Sequence, residues 1–282
     1  MILEKTRQME LKTTAADIRI ETVKEIGSLG VGHIGGALSI PDLLAVLYWE
    51  VMNIRPDDPS WEERDRFVLS KGHAGPALYA ALAMKGYFPM EVLDTLNRPG
   101  TSLPSHCDRN RTPGIDMTTG SLGQGISAAC GIALACRMKG LKNYVYAVIG
   151  DGESQEGQVW EASLFAGHRN LSNLIVFADY NRQCLDGTTE EICDLGELDK
   201  KFSEFGWYTQ LIDGNDVGQI YTAIKNAQAQ NDKPSMIVMN TIKGYGVSFW
   251  AGSPSNHNAP VSKEDMEKAV QELEASKKAW KE

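Results

Sequence analysis

The sequence predicts an α/β fold, a doubly wound and mostly parallel sheet with helices on both faces. Three observations lead there. Short apolar runs at residues 66–69, 144–149, 173–178, 208–212 and 234–242 alternate with longer helical stretches. Most of these runs end in glycine-rich or Asx-rich turns. Finally, one strand closes on Gly150-Asp151-Gly152 and the next on Asp179-Tyr180-Asn181, so an acid and an amide sit at consecutive strand ends. In a parallel sheet both would lie at the carboxyl edge, where open α/β sheets bind ligands.

Taken in order, residues 3–28 carry apolar side chains at Leu11, Ala15, Ile18 and Val23 and read as a packing helix. SLGVGHIGGALSI (28–40) is too glycine-rich for helix stability and suggests backbone brought close to a ligand, with His33 at its centre. Pro41 opens a helix over 42–51, proline being favoured in a first turn. A charged connection (53–66) leads to strand RFVL, then SKGH with His73, then a helix from Pro76. His106 lies in the loop TSLPSHCDRN. The turn at 118–121 precedes a helix of small residues running to 139. Helix 156–168 separates the two strands that end in Asp151 and Asn181. Helix 200–207, strand 208–212, helix 217–230 and strand 234–242 follow. The loop KGYGVSFWAGSPSNHNAP carries His257, and a charged helix over 263–281 covers the surface. No stretch has linker composition, so residues 1–282 are expected to form a single domain with a helical tail.

Composition narrows the function. At 42% hydrophobic and 23% charged residues the chain is of ordinary globular type. A net charge of −9 argues against a nucleic-acid binder, which needs a basic surface. No apolar run is long enough to cross a membrane. Five cysteines without a CxxC pair suit free thiols, and the first residues lack the apolar core of a signal peptide, so a cytoplasmic setting is expected.

The chemistry suggested by residues 144–181 is a magnesium–diphosphate site. Asp151 and Asn181 offer hard oxygen donors, and Mg²⁺ completes its shell with phosphate oxygens and water. Gly150 and Gly152 let the backbone come close to a ligand, and the helix start that follows supplies N–H groups. Three of the five histidines, His33, His73 and His106, sit in loops at element ends, which favours a proton-handling or anionic site. His168, inside a helical run, reads as structural. A generic nucleotide-binding domain is disfavoured, since neither GxxxxGK[ST] nor a GxGxxG after a strand is present.

GDG followed thirty residues later by Asn resembles the thiamine diphosphate fingerprint. GDGESQEGQVWEA with LFAGHRNLSNLIVFADYN is similar to the core of transketolases. GHIGGALS, SKGHAGPALYA, GIDMTTGSLGQG and TIKGYGVSFWAGSPSNHNAP resemble further elements of that family, so the resemblance covers nearly the whole chain. It implies the thiamine diphosphate-binding fold and transfer of a two-carbon ketol unit between sugars or sugar phosphates. By the same resemblance Asp151, Asn181 and the carbonyl of Gln183 are metal ligands, for Mg²⁺ with Ca²⁺ or Mn²⁺ able to stand in. His73, Gly150 and Gly152 hold the diphosphate, Gly120 and Leu122 lie near the cofactor rings, and His257 borders both cofactor and substrate. His33, His106 and His257 are the catalytic histidines of the substrate channel. Glu156 couples paired cofactor sites at a subunit contact, which Glu161 shares.

Two departures concern substrate preference: Ile34 follows His33 where proline is usual, and Arg182-Gln183 follow Asn181. The family's activating glutamate and its sugar-phosphate residues lie on a pyrimidine-binding domain that this sequence does not contain. The resemblance therefore implies an amino-terminal subunit, completed by a carboxy-terminal transketolase subunit in an α2β2 assembly. Two alternatives stay open: an α-type subunit of a 2-oxo acid dehydrogenase or deoxyxylulose phosphate synthase-like enzyme, and a non-catalytic thiamine diphosphate-binding subunit.

Overall fold

The structure, a computed structural model, describes residues 2–280. Its elements are, in order, α1 (Lys5–Leu29), β1 (Val31–Gly32), α2 (Ile34–Leu38), α3 (Pro41–Val46), β2 (Arg66–Leu69), α4 (Gly75–Met84), α5 (Gln124–Met138), β3 (Val145–Gly150), α6 (Gly157–His168), β4 (Leu174–Tyr180), α7 (Thr189–Cys193), α8 (Leu198–Glu204), β5 (Tyr208–Asp213), α9 (Val217–Gln228), β6 (Ser235–Asn240), β7 (Ala259–Pro260) and α10 (Lys263–Ala279). The main sheet has the order β2-β3-β4-β6-β5, and every neighbouring pair is parallel. This is the doubly wound α/β architecture that the alternation predicts.

The apolar runs are continuous because both faces of the sheet are covered. Side-chain alternation splits the runs of β2, β3, β4 and β6 between two cores, while the edge strand β5 stays partly exposed. Tyr146, Val148, Ile175, Phe177, Ile237 and Met239 pack with α1, α3, α4 and α9. Val145, Ala147, Ile149, Leu174, Val176, Ala178, Met236 and Val238 pack on the other side with α5, α6 and α8. Each fully buried aliphatic or aromatic side chain stabilises the fold by about 1.5–3 kcal/mol relative to exposure. A one-residue slip would exchange the two sets.

Several elements differ from expectation. The glycine-rich stretch at 28–40 contains a helix, α2, that includes Gly35 and Gly36. Gly35 serves close packing within the protein, where a Cβ would collide with Asn256, whereas Gly36 lines the candidate cavity beside His73, 3.2 Å from where its Cβ would stand. The α-helix begun by Pro41 gives way to a wide π turn over Leu47–Val51. The ribbon β1–β7 and helix α7, opened by a Thr188/Glu191 capping box, are not signalled by the apolar pattern. Helix α10 starts at a Ser262/Asp265 capping box and buries Ala269 and Leu273, so the tail covers the surface as expected. Residue 281 of the expected helix lies outside the described residues.

Candidate active site

Because the strands of the main sheet are parallel, their carboxyl ends share one edge, and the candidate residues gather there. At the end of β3, Asp151 caps the short 3-10 turn Gly152–Gln155, accepting from the Gly152 N–H at 2.7 Å. Its other carboxylate oxygen accepts from the Arg182 N–H, just past β4. The two strand ends singled out in the sequence are thus tied together. Asn181 donates to Asp179 at 3.1 Å and accepts from the Gln183 N–H at 3.1 Å. Asp151, Asn181 and Gln183 line one cavity of about 300 Å³, with His73, Leu122, Gly150, Gly152 and His257.

The histidines converge from four loops. His33 sits 5.4 Å from His73, 5.5 Å from His106 and 5.4 Å from His257, centroid to centroid, and His73 sits 5.1 Å from His257. Gly120 joins them: at φ 148°, it lies where a Cβ would be 3.1 Å from the His106 ring. Burial pushes all four imidazoles below their ordinary value. Neighbouring cations add to this at His73 (Lys71) and at His257 (Lys243), which is pushed down to about 4. Four neutral rings can donate to and accept from hydroxyl groups without carrying fixed charge. His168 stands apart, exposed at the last residue of α6.

Beneath the cavity lies a polar layer that sequence reasoning missed. Lys71 and Asp179 are 2% and 0% exposed and form an ion pair of 2.5 Å. Lys71 also donates to the Gly36 carbonyl at 2.8 Å, and Asp179 accepts from Ser39 at 2.6 Å and from Thr241. Burial alone would raise the Asp179 carboxyl; Lys71 and the two hydroxyls outweigh it and hold the group below its ordinary range. Glu153, also buried, accepts from Ser70, from the Gly123 N–H at 2.8 Å and from the Gly150 N–H at 3.0 Å, so it fastens β2, α5 and β3 together. Lys243, 3% exposed, donates to the Cys184 carbonyl at 3.1 Å and meets His257 Nδ1 at 3.2 Å. The legible signal for Lys71 and Lys243 was a lysine within a few residues of a buried strand's end and next to glycine.

Glu156, counted with the cofactor-binding residues, stands outside the cavity. The 3-10 turn carries the chain away from the strand end, and Glu156 is the exposed N-cap residue of α6, beside Gly123. Glu161 is exposed on the same helix.

The cavity's charges define what would fit it. Asp151 is 2% exposed, and burial with the nearby Asp179 pushes its carboxyl up to about 7. Neither Asp151 nor Lys243 has an ion-pair partner among the described residues. A buried carboxyl that its surroundings hold back from ionising and a buried lysine, neither of them in a salt bridge, therefore face one space. A ligand that brings both a cation and an anion, such as a metal diphosphate, satisfies both. No group of three His, Cys, Asp or Glu side chains able to hold a metal occurs among the described residues.

The chain matches the family model "Transketolase, thiamine diphosphate binding domain" over residues 11–280. It is 58% identical to the 6-deoxy-6-sulfo-D-fructose transketolase subunit of Clostridium sp. (strain MSTE9), over 95% of this chain and 98% of that one. It is 38% identical to an apulose-4-phosphate transketolase subunit of Actinobacillus succinogenes, over 94% and 96%. Among solved structures, transketolase from Leishmania mexicana superposes with a TM-score of 0.87 at 32% identity, over 96% of this chain and 46% of that one. The chain thus spans a little under half the length of such single-chain transketolases and nearly all of the relatives named as subunits. It belongs to the transketolase family of transferases, as a subunit equivalent to that family's amino-terminal, thiamine diphosphate-binding domain.

Proposed function

We propose that the chain works with a second subunit, carrying the pyrimidine-binding domain, to transfer a two-carbon ketol unit from a ketose phosphate to an aldose phosphate with thiamine diphosphate and Mg²⁺. The observation that carries this is the pair of buried groups without a salt bridge, Asp151 and Lys243, beside four neutral imidazoles. Asp151, Asn181 and the Gln183 carbonyl would hold the metal. His73, Gly150 and Gly152 would hold the diphosphate, and Gly120 and Leu122 would border the rings. Bound thiamine diphosphate supplies the carbon nucleophile that cleaves and rebuilds the sugar carbon–carbon bond. The protein's task is position and protons: His33, His106 and His257 hydrogen-bond to sugar oxygens, and rings of this set handle the hydroxyl protons. Lys71 and Asp179 keep the floor charged and rigid beneath them.

Two subunits are supported by the named relatives, which are themselves subunits of nearly this length. An α2β2 assembly would use the outer face of α6, where Glu161, Leu164, Phe165 and His168 are exposed at helical spacing. Five free cysteines, three of them buried, fit a reducing cytoplasm, and no helix among the described residues is long and apolar enough to cross a membrane. Calorimetry tests the cofactor site. Asp151→Ala should remove metal-dependent binding of thiamine diphosphate by the subunit pair; binding that persists unchanged overturns the metal assignment.

A further inference from the structure

We propose that Lys243 is a positioning residue for His257: its ammonium donates to Nδ1 and confines the ring to the neutral tautomer with its proton on Nε2. The argument starts from the contact of 3.2 Å between Lys243 Nζ and His257 Nδ1. An ammonium has three donors and no acceptor, so the ring nitrogen facing it can only accept. One further N–H goes to the Cys184 carbonyl at 3.1 Å, and the third is left for an anion in the cavity. Lys243 lies just past the end of β6 at Asn240, and Asn256, next to His257, is stitched to α2 through the Gly35 N–H to Asn256 carbonyl bond of 2.8 Å. Both partners of the contact are therefore held by rigid elements.

The charged and titratable groups around His257 act in the same direction. Lys243, Lys71 and the His33 ring all oppose a positive charge on it, and His73 packs against it at 5.1 Å. Burial, joined by Lys71, lowers Lys243 from its ordinary value, and Asp151 and Asp179 pull the other way, toward the charged form. His257 then presents a donor, never an acceptor, from Nε2. In the transfer reaction proposed above, on which this consequence rests, His257 would stabilise a substrate oxygen by donating to it. Removal of a hydroxyl proton would fall to another ring of the cluster, His33 or His106.

The test reads the ring nitrogens directly. Long-range ¹H–¹⁵N correlation spectra of the purified full chain, without substrate, resolve five histidines, and His257→Gln assigns the resonance. The expected result is the Nε2–H tautomer at neutral pH, with a titration midpoint below about 5. Lys243→Met should release Nδ1, giving mixed tautomers and a midpoint raised by about one unit, whereas Lys243→Arg should preserve the tautomer. A wild-type ring protonated on Nδ1, as a neutral lysine amine accepting the bond would require, overturns the proposal. So does an unchanged tautomer and midpoint in Lys243→Met. The wild-type spectrum decides the tautomer even if the methionine variant does not fold. Failure of cofactor binding would leave these spectra as they are, so the two readings fail separately.

Discussion

Asp179 is fully buried and still charged, and Lys71 is the reason. Removing one partner of such a pair leaves an uncompensated charge in a dry layer. Lys71→Met should destabilise the protein by about 3–5 kcal/mol, read as a shift of the urea midpoint. The double variant Lys71→Met/Asp179→Asn should recover much of that loss; if it does not, the pair is not the source of the effect. Glu25 is the opposite case. It is buried on α1, neither carboxyl oxygen has a hydrogen-bond partner, and burial, with the nearby Glu21, pushes it well above the ordinary glutamate value. Its folded value is raised, so the native state holds the proton more tightly. The protonated form's advantage is complete below the unfolded value of about 4.3 and is lost as pH climbs through the raised folded value. Glu25→Gln should therefore flatten the loss of stability on the alkaline side, seen by comparing urea midpoints at mildly acid and alkaline pH. A parallel decline in both proteins would show that another group controls it.

Secondary elements were the legible layer, because each is encoded by its own residues. The buried runs of β3 and β4, Pro at the start of α3 and the glycines beside Asp151 all mark their positions locally. The same holds for Asp151 and Asn181: an acid and an amide at two strand ends are a pattern in one stretch of chain. The polar floor was less legible, since Lys71, Asp179, Ser39 and Thr241 come from four distant segments and only the sheet order brings them together. Helix α2 shows the same limit. Its glycines read as a ligand-facing loop, and Gly36 does line the cavity, but the partner that excludes a side chain at Gly35 is Asn256, over two hundred residues away. Gly35→Ala would place Cβ against the Asn256 side chain and carbonyl, and overpacking of this kind costs about 1–3 kcal/mol. The strain falls on the loop that carries His257, so the variant should lower the thermal midpoint and displace the His257 ring resonances. A loss of stability with those resonances unmoved would mean that α2 and the loop yield elsewhere.

At the scale of the whole molecule, one outer face is more apolar than a lone chain requires. On α6 the exposed positions 157, 161, 164, 165 and 168 fall on a single stripe, with Leu164 at 58% and Phe165 at 42% exposure. An apolar stripe beside acidic Glu161 fits a subunit contact of mixed character, and Glu156 at the start of the same helix borders the α5 N-terminus near the cavity. One helix would thus connect the proposed contact face to the candidate cofactor edge. Phe165→Asp separates folding from assembly. The residue is exposed in the isolated chain, so its own stability should change by no more than about 0.5 kcal/mol. Sedimentation with the second subunit present should nonetheless shift from the proposed four-chain species toward smaller ones. Ketol transfer should fall in proportion to the loss of that species. Full assembly with Phe165→Asp would place the contact on another face, and full activity in the smaller species would show that one pair of subunits completes the site alone.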